Sequence, residues 1–445
     1  MGLKGLLTVN ARPEKAMNIQ HQPRTGDVIP ELSEGLKRSF LNIDGFGKPL
    51  KSPIPQSTVD RARTYRLKRM RDQVIAHDCA AFLMYSPVNI RYAFDYSNMQ
   101  IWSTREASRY ALLFGEGPAI MHEYKGAEHM IKGGAGVDIV KPATTWLYMI
   151  SDSEVGARAK RWAQEIADLV REHGGGNRRI AADNLDPLGL RALEALGIEV
   201  VDGQELAEKA RSVKSADEIE LMKWTIRVAE SGMWRMHAAS VPGASENEIW
   251  AEIHHENIRS GGEWFEARLL SSGPRTNPWY QEASDRVISE GEMISFDTDM
   301  IGPYGYCADL SRSWTCGHVP MTATQKGLYR LALDQIQQNT EILRTDMSFA
   351  EFNEKSWRIP EINRPFRYSL AIHGVGLVDE WPVVPLHVDV DGSFGAREGY
   401  FHENMVVCVE SLMAAPGTES IKLETQVLIT KDGPVRLDTF PWEDC

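Results

Sequence analysis

The chain has 445 residues, 42% hydrophobic and 25% charged, a balance that suits a globular protein of two or more domains. A formal net charge of −13 argues against nucleic acid as partner, because a phosphate-binding surface needs a basic excess. The cysteines (Cys79, Cys307, Cys316, Cys408 and Cys445) are few and form no CxxC pair. Neither a disulfide framework nor a zinc knuckle is indicated, and reduced thiols in a cytoplasmic protein are expected.

The opening stretch, MGLKGLLTVNARPEK, lacks an adequate apolar region for secretion. No run approaches the roughly 18 apolar residues of a membrane span. Residues 1–60 are rich in Pro, Gly and polar residues and read as an irregular arm. A helical pattern follows from Ser57 to His77, with the basic run RARTYRLKRMR (Arg61–Arg71) expected on its solvated face. CAAFLMYS (Cys79–Ser86) reads as a buried strand, and RYALLFG with GPAIMHEY (Arg109–Gly115, Gly117–Tyr124) as a hairpin. GGAG (Gly133–Gly136) has no following Lys-Ser/Thr and is a plain turn rather than a phosphate loop. A charged helix over Glu154–His173 and the strand RIAAD (Arg179–Asp183) complete an α/β domain ending near residue 205.

The second domain, 206–445, opens with RSVKSADEIELMKWTIRVAESGMWRMHAA (Arg211–Ala239). Ile219, Met222, Ile226, Ala229, Met233 and Met236 recur at helical spacing, and Ser215 with Glu218 forms a capping-box pattern. A further helix covers Ser245–Arg259. Its His254-His255-Glu256 lacks the HExxH spacing and reads as surface polar residues.

Between Ser295 and Trp314 the sequence SFDTDMIGPYGYCADLSRSW sets Asp297, Asp299 and Asp309 in an apolar, aromatic context. Buried carboxylates that close together repel unless a cation lies between them. MISFDTD alternates like a strand, which would point Asp297 and Asp299 the same way, and Asp309 could return on the neighbouring strand. Downstream, His373 opens HGVGL, Glu410 ends the apolar MVVCVE, and Glu424 lies inside IKLETQVLIT. Several carboxylates with one imidazole and no thiol suit two divalent ions such as Mn, Fe, Co or Zn.

These motifs in order, with the helix-opening RSVKSADEIELMK, resemble the C-terminal pita-bread domain of the creatinase, prolidase and aminopeptidase-P superfamily. The resemblance implies an α+β fold with a creatinase-like N-terminal α/β domain, a homodimer, and metal ligands at Asp297 or Asp299, Asp309, His373, Glu410 and Glu424. The family's spacing between its two metal aspartates falls between the two available here. Both Asp297 and Asp299 are therefore expected on metal, with Asp299 as the bridge.

Two departures separate the chain from the family's peptidases. Trp279-Tyr280 stands where a catalytic histidine should follow the serine-glycine strand, and Asp379-Glu380-Trp381 stands where a second should follow HGVGL. Aromatic faces attract cations, by ~2 kcal/mol or more when desolvated. A nearby carboxylate can act as general base. With these changes the chain is similar to the superfamily's dimethylsulfoniopropionate lyases, the DddP type. That resemblance implies a small zwitterionic substrate cleaved to dimethyl sulfide and acrylate, and iron as the metal. Asp379 is then the expected base, with exchange for Glu380 open. Tyr368, Trp381, Trp279 and Tyr280 are expected to cradle the sulfonium. Trp102, with Tyr92 and Tyr96, would lend a wall from the same or a partner subunit. The alternative is an Xaa-Pro aminopeptidase or prolidase.

Overall fold

The computed structural model describes residues 49–131, 136–389, 395–396 and 398–443. The expected arm as far as residue 48, the GGAG turn as far as Ala135, and Cys445 lie outside the described residues. In the N-terminal half, β1 (Ala81–Met84), β2 (Tyr110–Phe114), β3 (Ala119–Glu123), β4 (Ile139–Pro142), β5 (Arg179–Ala182) and β6 (Glu199–Asp202) form one sheet in the order β4-β3-β2-β1-β5-β6. The expected hairpin is β2–β3, antiparallel from Tyr110↔His122 to Leu113↔Ala119.

The unbroken apolar run of β1 has a simple cause. Phe82 and Met84 share a core with Ala62, Met70 and Val74 of α1 (Gln56–Ala76), whereas Ala81 and Leu83 join Trp162 and Ile166 of α2 (Val155–His173). A strand covered on both faces needs no polar alternation.

The basic run of α1 is solvated only in part: Arg61 and Lys68 are exposed as expected, and the other basic residues turn inward. Arg66 is buried, its guanidinium 2.8 Å from Asp95 and 3.2 Å from the Tyr306 hydroxyl. Arg69 donates to the Lys209 and Ala210 carbonyls, and Arg71 to those of Phe114 and Gly117. Planar guanidinium groups satisfy several fixed acceptors at once, which is why arginines can stitch a helix into a fold.

Helix α3 (Gln204–Ser212) straddles the expected division at residue 205 and packs on α1. The next helix, α4 (Ala216–Ala239), opens with the expected capping box between Ser215 and Glu218. Its stripe serves two cores: Ile219 and Met222 pack in the N-terminal one, and Ile226, Ala229, Met233 and Met236 in the C-terminal one. On α5 (Glu246–Arg259), only His255 of the three expected surface residues is exposed. His254 stacks on Phe265 at 4.0 Å, and Glu256 is fully buried against Ser260 and Arg259. Position 256 lies one turn after the core residue Ile253, on the same helix face.

The C-terminal half contains three antiparallel sheets. β7 (Trp264–Phe265), β10 (Met300–Ile301) and β11 (Cys307–Ala308) run in the order β11-β10-β7. β8 (Leu270–Ser272), β9 (Met293–Asp297) and β12 (Ser311–Thr315) run β12-β9-β8. β13 (Leu370–Val375), β14 (Asp379–Pro385), β15 (Val406–Met413), β16 (Ile421–Thr430) and β17 (Gly433–Arg436) run β14-β13-β15-β16-β17. The architecture is the expected α+β. Val407, Val409, Leu423 and Val427 pack with Leu328, Ala332 and Ile336 of α6 (Ala323–Glu341). By strand alternation Cys408, Glu410, Lys422 and Glu424 point away from α6.

Candidate active site

Strand pairing assembles the carboxylates. Glu410 and Glu424 stand directly opposite on β15 and β16, and His373 stands opposite Cys408 on β13 and β15. Glu410, expected at a strand end, is in the middle of β15. β9 stops at Asp297 rather than continuing through Asp299, which adopts a left-handed φ of 37° and turns the chain into β10. Thr298 holds this turn, donating to the Ala308 carbonyl and accepting from the Leu310 amide. Asp297, Asp299 and Asp309 nevertheless meet, their carboxylate oxygens within 4.8 Å of one another.

His373 Nε2 lies 3.2 Å from Glu410 Oε1, 3.2 Å from Glu424 Oε1 and 3.3 Å from Asp309 Oδ2. Its Nδ1 lies 2.9 Å from the Gly374 carbonyl, an acceptor that fixes the tautomer leaving Nε2 free as a ligand. Such spacings match the edges of a coordination sphere with bonds of about 2.0–2.2 Å. Asp297 Oδ1 and Asp309 Oδ1 are buried with no hydrogen-bond partner. Burial, then mutual repulsion, pushes the Asp297, Asp299 and Asp309 carboxyls above the ordinary carboxylate range. Five carboxylates gather around one buried ammonium, that of Lys422, which reaches three of them, and the excess negative charge outweighs burial to hold the His373 imidazole above its ordinary value. Two divalent cations are the complement of that charge, so the residues present fit a dinuclear metal centre.

Sequence reasoning missed two members of this cluster. Lys422 is fully buried, with Nζ 2.7 Å from Glu410 Oε2, 3.0 Å from Glu424 Oε2 and 3.1 Å from Asp297 Oδ2. The same ammonium lies 5.1 Å from the Tyr368 ring centroid. Cys408 donates its thiol to Asp309 Oδ2 at 3.7 Å, so a buried thiol lies beside the expected oxygen-and-imidazole set. Lys422 lies two residues before Glu424 and Cys408 two before Glu410, each pair on one strand face, a signal the period-two rule carries.

The cluster opens into a cavity of about 240 Å³ lined by Leu269, Asp297, Asp299, Asp309, Tyr368, Leu370, His373, Asp379, Val383 and Glu410. Burial separates Asp379 from Glu380. Asp379 is 49% exposed, lines the cavity, and places Oδ1 3.6 Å from His373 Nδ1. Glu380 is fully buried between Lys214 and Arg211, whose charges outweigh burial and hold its carboxyl below the usual range.

Of the aromatic candidates, Tyr368 lines the cavity and Tyr280 stacks near it, with ring centroids 5.5 Å apart. Trp381 lines an adjoining hollow that shares Asp379 and Val383. Trp279 is buried and lines neither space. Trp102 packs edge-on against Tyr124 in the N-terminal half, also outside both. Tyr92 is buried on the Ala210 carbonyl, and the Tyr96 ring lies under Arg109. A further carboxylate went unread in the sequence. Glu266, whose amide donates to the Asp299 carbonyl, is pushed up to about 7 by loss of hydration, with repulsion from Asp379 adding to it.

The family model for Metallopeptidase family M24 matches residues 220–431, a span holding every carboxylate and the histidine of the cluster. The prolidase of Pyrococcus horikoshii superposes with a TM-score of 0.68 over 85% of this chain and 99% of its own, at 20% identity. The Xaa-Pro dipeptidase of Bacillus anthracis gives 0.67 over 86% and 99%, at 19% identity. At such identities these neighbours establish the pita-bread fold and nothing of the reaction. Sequence similarity is much higher elsewhere: the dimethylsulfoniopropionate lyase DddP of Roseovarius nubinhibens is 39% identical over 89% of this chain and 90% of its own length. That of Roseobacter denitrificans is 40% identical over 86% of each. With near 40% identity sustained over most of both chains, the chain belongs to the DddP family of dimethylsulfoniopropionate lyases.

Proposed function

We propose that this protein cleaves dimethylsulfoniopropionate to dimethyl sulfide and acrylate, a carbon–sulfur lyase working at a dinuclear metal centre. The similarity to two lyases of that activity over most of the chain is the observation that carries the reaction. Asp297, Asp299, Asp309, His373, Glu410 and Glu424 would hold two divalent transition-metal ions, iron in our reading, with zinc, manganese or cobalt able to take the same donors. When bound, the ions supply Lewis-acid charge for the substrate carboxylate and for the negative charge that develops next to it.

The side chains then divide the work. Asp379 removes the α-proton, since it lines the cavity with its Oδ1 3.6 Å from His373 Nδ1. The electron pair of that C–H bond forms the new double bond, and the C–S pair leaves with neutral dimethyl sulfide. Tyr368, Tyr280 and Trp381 supply aromatic surface for the sulfonium, and the Asp379 and Glu266 carboxylates add negative charge beside it. The Lys422 ammonium already sits against Tyr368, which leaves Tyr280 and Trp381 as the freer faces. Trp279, buried behind this wall, would act by packing.

Trp102 would reach a substrate only from a second copy of the chain. The neighbouring Met99 and Ile101 are exposed, which supports the homodimer implied by the resemblance. Cys79, Cys307, Cys316 and Cys408 are buried and unpaired, which supports a reducing, cytoplasmic setting. Incubating metal-loaded protein with dimethylsulfoniopropionate and measuring headspace dimethyl sulfide and dissolved acrylate tests the reading. Equimolar release supports it, and loaded protein that releases neither product would refute it.

A further inference from the structure

We propose that Val383 sets the size limit on the sulfur substituents that this site accepts. The inference rests on the reading that the cavity beside the carboxylate cluster takes dimethylsulfoniopropionate. Val383 stands directly opposite His373 across the β13–β14 ladder, and residues so paired point to the same face of a sheet. It therefore looks into the cavity, while Val384, opposite Ile372, joins the core shared with α6.

Two spaces meet at this residue. The inner cavity holds about 240 Å³, below the roughly 300–1,000 Å³ of ordinary ligand pockets. The outer hollow holds about 470 Å³, and Asp379 and Val383 line both. Of the two, Tyr368 lines the inner space and Trp381 the outer one. A sulfonium that touches the Trp381 ring while Asp379 takes the neighbouring proton must lie at the boundary, with its substituents against Val383.

The boundary is held in place from several sides. His373 pairs with Val383 but Gly374 with Glu380, which leaves Trp381 and Pro382 bulged out between them. Lys214 and Arg211 grip the Glu380 carboxylate, and the Trp381 amide donates to Glu208 Oε2 at 2.8 Å. The Trp381 ring packs edge-on against Phe349, with centroids 5.4 Å apart. A wall pinned in this way keeps its position, so the bulk of the Val383 side chain fixes the limit. In apolar pockets one added methylene changes kcat/KM by about 10–200-fold.

Two homologous substrates read this out. Metal-loaded full-length protein is given dimethylsulfoniopropionate and, separately, diethylsulfoniopropionate, with dimethyl or diethyl sulfide measured in the headspace. Each elimination moves the same electrons: the α-C–H pair becomes the double bond of acrylate, and the C–S pair leaves with the neutral sulfide. Wild type should favour the dimethyl substrate at least about tenfold in kcat/KM. Val383→Ala should lower that ratio by about tenfold or more, through a gain on the diethyl substrate. Val384→Ala, which opens the core instead, should leave the ratio at its wild-type value. A ratio unchanged in Val383→Ala overturns the assignment. Wild type that cleaves both substrates equally well also overturns it, with no variant needed. No sulfide from either substrate overturns the lyase reading together with this inference.

Discussion

The Lys214 ammonium lies 2.8 Å from Glu380 Oε2, while Arg211 Nε lies 3.0 Å from Oε1. Arg211 lies in the last turn of α3 and Lys214 in the segment joining α3 to α4, and together they lock the residue next to Asp379 in the chain. The Leu377 amide donates to the same carboxylate at 3.1 Å, and a Cβ on Gly376 would come within 2.5 Å of it. Glu380 is therefore an anchor for the loop after His373, and Asp379 is left free at the cavity.

Asp379→Asn should cut kcat for dimethyl sulfide release by about 10²–10⁴, the usual contribution of a positioned general base. Bound metal per chain and thermal midpoint should match wild type. Calorimetry and elemental analysis on the same sample separate loss of the base from loss of the site.

Glu380→Gln should behave in the opposite way. It strands Lys214 as a buried charge while Arg211 keeps its ion pair with Glu208, a loss of about 3–5 kcal/mol for one partner of a buried ion pair. Urea unfolding should show that destabilisation, and an unchanged midpoint would mean the clamp contributes nothing.

Glu266 makes KM pH-dependent. Its carboxyl, raised to about 7, is neutral below that pH and charged above it, and its coupling to Asp379 carries that charge to the side of the cavity proposed to hold the sulfonium. KM should fall as pH rises through about 7, and Glu266→Gln should flatten that step while leaving kcat close to wild type.

His122 reports on the N-terminal domain. It is buried, stacked on Tyr110 at 4.4 Å, and neither ring nitrogen has a hydrogen-bond partner. Burial, helped by Lys141, holds it down to about 3 against an ordinary 6.5. The unfolded chain takes up a proton below 6.5 that the folded His122 refuses, so stability falls as pH drops from 6.5 toward 3. His122→Phe keeps the stack and removes two orphaned polar atoms. It should stabilise the protein by about 1–3 kcal/mol and shift its acid-unfolding midpoint downward, as followed by circular dichroism.

What was legible in the sequence was what local periodicity encodes. The stripe and capping box of α4, the β2–β3 hairpin and the carboxylates on β9, β15 and β16 could all be read from spacing. Partnerships across long sequence separations could not. Arg66 looks solvent-facing until Asp95 and Tyr306 close on it, and Asp379 and Glu380 look interchangeable until Lys214 and Arg211 claim one. Lys422 and Cys408 were within reach, each two residues before a glutamate of the cluster, but a lysine and a thiol were not weighed as neighbours of an oxygen-rich site.

The most direct measurement gives metal-loaded protein dimethylsulfoniopropionate in one vessel and an Xaa-Pro dipeptide in another. The account predicts equimolar dimethyl sulfide and acrylate from the first, abolished by Asp309→Ala, and no free proline from the second. Proline release without dimethyl sulfide would contradict it, because Trp279-Tyr280 and Asp379-Glu380-Trp381 would then occupy the histidine positions of a working peptidase.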